Sequence, residues 1–384
     1  MAETAETLEL LVEAARRFAR EELVPAENEV EETGEIPDRI VEHMKELGLF
    51  GMTVPQEYGG LGLNMYEETQ LVFEIAYASP VFRSYFGTTN GVGTLGIVAN
   101  GTQEQRERYL PRIATGELMT SFCLTEPDAG SDVASLTTRA VRDGDFYVIN
   151  GTKRFITNAV HAGLFTVFAR TAPKEAGATG ISAFLVERDT PGITVTRPYE
   201  KMGFRGSHES DVIFEDCRVP ASALLGGVEG DGFKSAMKSL DHARLHMAAV
   251  ATGMCERLLD EGTRYAIERH QFGRAIAQFQ MIQSMLADSK AEAFAARAMV
   301  EKAARNKDAG RGATIESASC KYYATEAAGR IADRMLQIHG GNGYIKEYAI
   351  ERLYRDARLL RIYEGTSQIQ QIIIARELVK SFDN

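Results

Sequence analysis

Apolar residues along the chain change their period twice. Up to about residue 118 they recur at helical spacing. Leu8, Leu11, Ala15 and Phe18 form one such stripe, and Ile40, Met44 and Leu47 form another that ends at Gly48. The Gly-rich stretch 55–62 reads as a loop. Thr102, with Gln105 three residues on, is a capping signal that opens a helix over 104–110. From about residue 120 the apolar runs shorten. Residues 146–149, 164–169, 181–186, 193–196 and 212–214 read as strands, with Asp143-Gly144 and Asn150-Gly151 as hairpin turns. Their spacing predicts an antiparallel sandwich or small barrel, closed by Pro220. From about Phe233 long helical patterns return without strand signals. Gly340-Gly341 follows the end of one helix, and Ile369, Ile372 and Ile373 give the last helix an apolar stripe. No internal repeat or low-complexity linker separates these regions. The expected architecture is α+β, packed as one body: an α-helical part over 1–119, a β-domain over 120–228 and a helical part over 229–384.

Composition narrows the function. The 384 residues are 44% hydrophobic and 25% charged, ordinary for a globular protein that can bury a substantial core. Lys and Arg number 43 against 54 Asp and Glu, a formal net charge of -11. That balance excludes the basic footprint of a nucleic-acid binder and the polybasic face of a protein docked on anionic lipid. No apolar run reaches bilayer-spanning length, so membrane insertion is not expected. Cys123, Cys217, Cys255 and Cys320 are too scattered for a metal knuckle or disulfide framework, which fits a reducing compartment. Residues 1–11 carry Glu and no basic cluster, unlike a signal or transit peptide. A soluble, cytoplasmic protein is the expectation.

Two motifs have a plainer reading. Gly91-Val92-Gly93-Thr94-Leu95-Gly96 matches GxGxxG, but a dinucleotide fingerprint needs a preceding strand, and 81–87 lies in a helical region. Tight helix packing is the better reading. His242 and His246 are four apart on one helix, yet the HExxH glutamate and a third ligand are missing. A solvated or packing role is expected there, and no metal site.

Three separated stretches belong together. They are Phe122-Cys123-Leu124-Thr125-Glu126-Pro127-Asp128-Ala129-Gly130-Ser131-Asp132; Arg269-His270-Gln271-Phe272-Gly273 with Gln280; and Gln337-Ile338-His339-Gly340-Gly341 running on to Ile362-Tyr363-Glu364-Gly365-Thr366-Ser367-Gln368. In this order and spacing, with the Val54-Pro55-Gln56-Glu57-Tyr58-Gly59-Gly60 loop, the chain resembles the acyl-CoA dehydrogenase family over essentially its whole length. The resemblance implies an N-terminal α-helical domain, a middle antiparallel β-domain and a C-terminal four-helix bundle. It also implies a homotetramer, non-covalent FAD, an acyl-CoA substrate and an electron-transferring flavoprotein as oxidant, as in fatty acid β-oxidation.

The residue types suit that chemistry. A flavin ring needs a flat slot with backbone and hydroxyl partners. By resemblance Phe122, Leu124, Thr125, Ser131, Phe155, Ile156 and Thr157 line it, with Thr157 near N5. Phe155 stands where many relatives carry Trp. Arg269, Phe272, Gln280, Gln337, Gly340, Gly341, Thr366 and Gln368 would hold the rest of FAD, with Arg269 and Gln280 reaching the cofactor of a neighbouring subunit. The bare-sequence alternative for Arg269 is a surface ion pair.

The reaction implied removes an α-proton and a β-hydride from a saturated thioester, the hydride going to flavin N5 and leaving a trans-2-enoyl-CoA. Glu364 matches the family's usual base. A free Glu, at about 4.3, is too weak a base near neutrality, so the site must desolvate it. Members that place the base on a C-terminal-domain helix would put it at Ala243 here, which favours Glu364. Asp241, Arg244, Tyr363, Gly365 and Ser131 match substrate-contacting positions; Asp241 and Arg244 could instead be a helix-pairing charge. Arg83-Ser84 stands where glutaryl-CoA-specific members read a distal carboxylate, with a structural Arg as the alternative. His208-Glu209 departs from the Asp-Thr or Pro-Thr of many relatives. An oxidase, an enzyme for an unusual thioester and a non-catalytic acyl-CoA-binding protein are the rival readings.

Overall fold

A computed structural model describes residues 5–312 and 314–382, so residues 1–4 of the acidic N-terminal stretch lie outside it. Seven helices come first: α1 (Ala5–Phe18), α2 (Val24–Thr33), α3 (Asp38–Glu46), α4 (Met65–Ile75), α5 (Pro80–Asn90), α6 (Val92–Asn100) and α7 (Gln103–Ala114). A π-helical turn, Ala19–Leu23, joins the first two. Local chemistry sets the ends. Gly34 takes a left-handed φ of 76° after α2. Asn64 with Glu67 and Thr102 with Gln105 form reciprocal capping boxes at α4 and α7.

The middle region holds β1 (Thr120–Cys123), β2 (Arg139–Asp143), β3 (Phe146–Thr157), β4 (Leu164–Arg170), β5 (Ile181–Glu187), β6 (Ile193–Val195) and β7 (Glu209–Pro220). They form one sheet in the order β1-β4-β2-β3-β7-β6, with β5 on β4. Pairs β2/β3, β3/β7, β4/β5 and β6/β7 are antiparallel. The short β1 instead runs parallel to β4, and β2 meets β4 in parallel at one residue pair.

One predicted turn fails. Asp143-Gly144 does close the β2–β3 hairpin, but Asn150-Gly151 lies inside β3. There the pairing with β7 slips between Ile149 and Gly151, with the extra residue on β7, where Asp216 takes a left-handed φ of 47°; on β3, Gly151 lies so close to Thr138 that a Cβ would clash. The apolar pattern resumes beyond the bulge, so the strand continues.

The third region contains α8 (Gly232–Glu268), α9 (Gln280–Asp308), α10 (Thr314–His339), α11 (Ala349–Leu359) and α12 (Ser367–Lys380). A small hairpin, β8 (His270–Gln271) with β9 (Arg274–Ala275), interrupts the expected all-helical pattern. Its turn is Phe272-Gly273, both at positive φ (51° and 81°). In α12, Ile373 is buried whereas Ile372 is 60% exposed, so the predicted stripe is only partly covered.

The first and third regions share one apolar core that runs from Phe18, Phe73 and Phe82 to Leu258, Val300 and Ile331. A second core fills the β-domain, and a third seals α7 and the start of α8 against β4 and β5. Among the described residues no helix is long and apolar enough to cross a membrane. All four cysteines are buried and free. Burial pushes their thiols up, that of Cys217 to about 11 and that of Cys320 to about 12.

Candidate active site

Glu364 sits in the loop between α11 and α12. It adopts a left-handed φ of 55° and Gly365 follows at 87°. For Gly that conformation is free, but a side chain there costs about 1–2 kcal/mol. The loop is held from outside. Lys321, fully buried on α10, donates from Nζ to the carbonyls of Tyr363 (3.0 Å) and Gly365 (2.7 Å). Gln370 donates to the Gly365 carbonyl as well, at 3.0 Å. Thr366 caps α12 by accepting from the Ile369 N–H. Burial raises the Glu364 carboxyl above its ordinary value, and the charges of Arg83, Lys321 and Arg244 pull the other way. Burial also pushes Lys321 down to about 8, with Glu364 opposing.

The two arginines near this carboxylate come from different elements. Arg244 on α8 pairs with Asp241, which also accepts from Thr314 Oγ1 at 3.1 Å. Its Nε is buried with no partner. Arg83 on α5 donates from Nε to His246 Nε2 at 2.6 Å. His246 Nδ1 meets one oxygen of Glu68 at 2.5 Å, and His242 Nε2 meets the other at 2.6 Å. The two histidines therefore converge on a buried carboxylate rather than standing in solvent.

The β-domain edge supplies the second group. Phe155 has φ 57° and is 58% exposed, its ring 5.4 Å from that of Tyr199. Phe122 packs edge-on to Phe168. The hydroxyls of Thr125, Ser131 and Thr157 make no hydrogen bond among the described residues, though Ser121 donates to the Thr157 carbonyl at 2.7 Å. Leu124 and Ile156 bury their side chains in the core, so only their backbones can face a ligand. Beneath this edge Lys153 and Glu126 form a buried pair at 2.8 Å, and Lys153 also donates to the Leu124 carbonyl. Burial would raise Glu126; Lys153 and the donors of Thr137 and Thr138 outweigh it and hold the carboxyl at about 2. Asn158 ties the two groups together, since its Nδ2 donates to the carbonyls of Ser84 and Tyr85 at 2.9 Å, beside Arg83. His208 lies close by, with Nδ1 3.0 Å from His161 Nε2 and Nε2 3.4 Å from Glu35.

A third group sits where α8 turns into α9 and where α10 ends. Tyr265 stacks on His339 at 4.2 Å and accepts from Asn342 at 3.0 Å, which fastens these two ends together. Arg269, Gln280 and Gln337 are exposed here, and Phe272 and Tyr344 are 93% and 87% exposed. The Arg269 guanidinium has no partner among the described residues, so the surface ion pair does not form. A Cβ on Gly340 or Gly341 would meet nothing within 4 Å.

These features fit FAD. Free hydroxyls at Thr125 and Thr157 beside exposed Phe155 suit the polar edge and face of a flavin. An unpaired Arg269 near open glycines suits a pyrophosphate.

The chain matches the N-terminal domain of acyl-CoA dehydrogenases over residues 5–117, the middle domain over 121–217 and the C-terminal domain over 230–379. It is 44% identical over 372 residues to the probable acyl-CoA dehydrogenase YngJ of Bacillus subtilis, covering 97% of this chain and 98% of that protein. It is 42% identical over 377 residues to the caffeyl-CoA reductase-Etf complex subunit CarC of Acetobacterium woodii, covering 98% and 99%. A glutaryl-coenzyme A dehydrogenase solved with glutaryl-CoA superposes with a TM-score of 0.92 at 35% identity, covering 98% of this chain and 96% of that one. The chain belongs to the acyl-CoA dehydrogenase family. It is thus an FAD-dependent oxidoreductase acting on acyl-CoA, with the three-part fold of that family.

Sequence reading missed Lys321, Lys153, Asn158 and the Glu68–His246 pair. Lys321 did carry a signal: it occupies an inward helical position between Ala318 and Ala324. Lys153 carried one as well, since it continues the two-residue alternation of the inward-facing Tyr147 and Ile149.

Proposed function

We propose that the protein dehydrogenates a saturated acyl-CoA to the trans-2-enoyl-CoA, with Glu364 as the base that takes the α-proton. The observation that carries this reading is a half-buried carboxylate, raised by desolvation, held in a left-handed loop by a buried lysine. Desolvation makes Glu364 a stronger base, and Arg83, Lys321 and Arg244 keep enough positive charge nearby for it to ionise. The same cations favour the negative charge that develops on the thioester as the proton leaves. When bound, FAD supplies the acceptor for the β-hydride. Thr125, Thr157 and Phe155 hold its ring, with the backbones of Leu124 and Ile156. Ser131, Thr366 and Gln368 complete the pocket, and Asp241, Arg244, Tyr363 and Gly365 line the substrate side. Arg269, Phe272, Gln280, Gln337, Gly340 and Gly341 serve a neighbouring copy in a homotetramer, which their exposure in the single chain supports. Electrons leave to an electron-transferring flavoprotein; the relative named as part of an Etf complex supports that partner.

A second observation bears on the substrate. Arg83 is buried, and its charge acts on both Glu364 and Tyr363. A fixed cation beside the base suits an acyl group that ends in a carboxylate, as in the glutaryl-CoA bound to the structural relative.

The test is an anaerobic absorbance titration with straight, branched, aromatic and dicarboxylic acyl-CoAs. Bleaching of the flavin band by a saturated thioester is expected, strongest with a dicarboxylic one. A flavin band that no thioester bleaches overturns the reading, and rapid direct reoxidation by oxygen would replace the dehydrogenase with an oxidase.

A further inference from the structure

Arg83 is not simply buried; it is aimed. A guanidinium Nε–H can only donate, so His246 Nε2 must present a lone pair to it. The proton of this imidazole must then sit on Nδ1, where Glu68 accepts it. His246 is therefore a neutral ring of fixed tautomer, and burial together with Arg83 holds it at about 4, in keeping with that geometry. Glu68 is itself fixed, by His242 on its second oxygen and by Asn90 Nδ2 at 3.4 Å on its first.

The seat of the guanidinium is cut to shape. A Cβ on Gly87 would come within 2.5 Å of Arg83 Nε and 2.7 Å of Cζ, so only glycine lets the side chain fold over that turn of α5. With Nε bound to His246, the two Nη groups remain. They have no partner among the described residues, and these two nitrogens make the end-on fork that grips a carboxylate with two bonds.

We infer that His246, oriented by Glu68, is a positioning residue that turns the Arg83 fork toward the acyl end of the pocket and so sets preference for a distal carboxylate. This rests on the proposed reading of Arg83 as a substrate contact. It assigns a role to residues outside the reacting centre: the imidazole transmits orientation, while Arg83 alone touches the ligand.

The experiment compares Kd for glutaryl-CoA and butyryl-CoA, read from the perturbed flavin spectrum of the holoenzyme, for wild type, Arg83→Met, His246→Leu and His246→Gln. Flavin content and thermal unfolding confirm that each variant is folded. Gln offers an acceptor and a donor at one end, so it can stand between Arg83 and Glu68 as the neutral imidazole does. Arg83→Met should weaken glutaryl-CoA at least tenfold relative to butyryl-CoA. His246→Leu should do the same, and His246→Gln should restore most of the preference. If Arg83→Met loses the preference and His246→Leu keeps it, positioning by His246 is wrong and Arg83 as a contact stands. If wild type has no preference, or Arg83→Met keeps it, both fall. Should His246→Leu lose its flavin, a His246→Gln variant without the preference also overturns the role.

Discussion

Replacing Lys321 with Met tests whether the base is held from behind. Met fills the same volume on α10 but removes both donors to the loop. Each hydrogen bond from a charged donor contributes about 1.5–3 kcal/mol. Against them stands the left-handed backbone of Glu364, which costs about 1–2 kcal/mol. With the lysine present the clamp wins; with Met the side-chain bonds left to these loop carbonyls are those from Gln370 to Glu364 and Gly365. The unoffset backbone cost of about 1–2 kcal/mol leaves the competent loop populated in roughly one molecule in six to thirty. The rate of flavin reduction should fall by about that factor, while FAD content and acyl-CoA binding stay near normal. A second sign is independent of rate. Lys321 is one of three cations that pull the Glu364 carboxyl down, so its loss should move the pH midpoint of reduction upward. Anaerobic stopped-flow reduction across a pH series reads both. Wild-type rates with an unmoved midpoint would refute the clamp.

Glu364→Gln should retain FAD and ligand but lose reduction. It should also unfold no more easily than wild type near neutral pH: the folded carboxyl is raised, so the folded state binds its proton more tightly and its stability contribution falls as pH rises through that window. A clearly lower melting temperature at pH 7 would count against a costly buried charge. Lys153→Met strands Glu126 beneath the expected flavin edge and should cost about 3–5 kcal/mol in urea unfolding. In wild type the Glu126 contribution is complete above the ordinary carboxyl value of 4.5 and disappears as pH falls through about 2. Acid unfolding of wild type that ignores this range would contradict it.

Much of this was legible because local and global signals agree. The capping box at Thr102, the glycine after α10 and the strand runs follow from short-range rules, and the structure bears them out. Asn150-Gly151 misled because the same dipeptide can sit inside a strand opposite a bulge, which shows only once the partner strand is known. The Glu364 loop could be recognised by its motif, but what supports it could not. Lys321 is 43 residues away, and Glu68 and His246 meet across 178 residues. Such pairs depend on how α4 packs on α8 and α10 on the loop before α12, and single-sequence periodicity carries no information about that. Asn158 joins the β-domain to α5 for the same reason, through backbone carbonyls that any residues would offer.

The four buried thiols give the molecule a built-in report on its own opening. Cys123 and Cys217 lie in the β-domain, Cys255 and Cys320 in the helical region. Being buried, they cannot meet a water-soluble disulfide reagent until their surroundings open. Cys320 adjoins the lysine behind the proposed base, and Cys123 adjoins Leu124, whose carbonyl Lys153 holds at the proposed flavin edge. Their modification rates, measured peptide by peptide, would therefore time the breathing of the two halves of the site separately, with no label introduced.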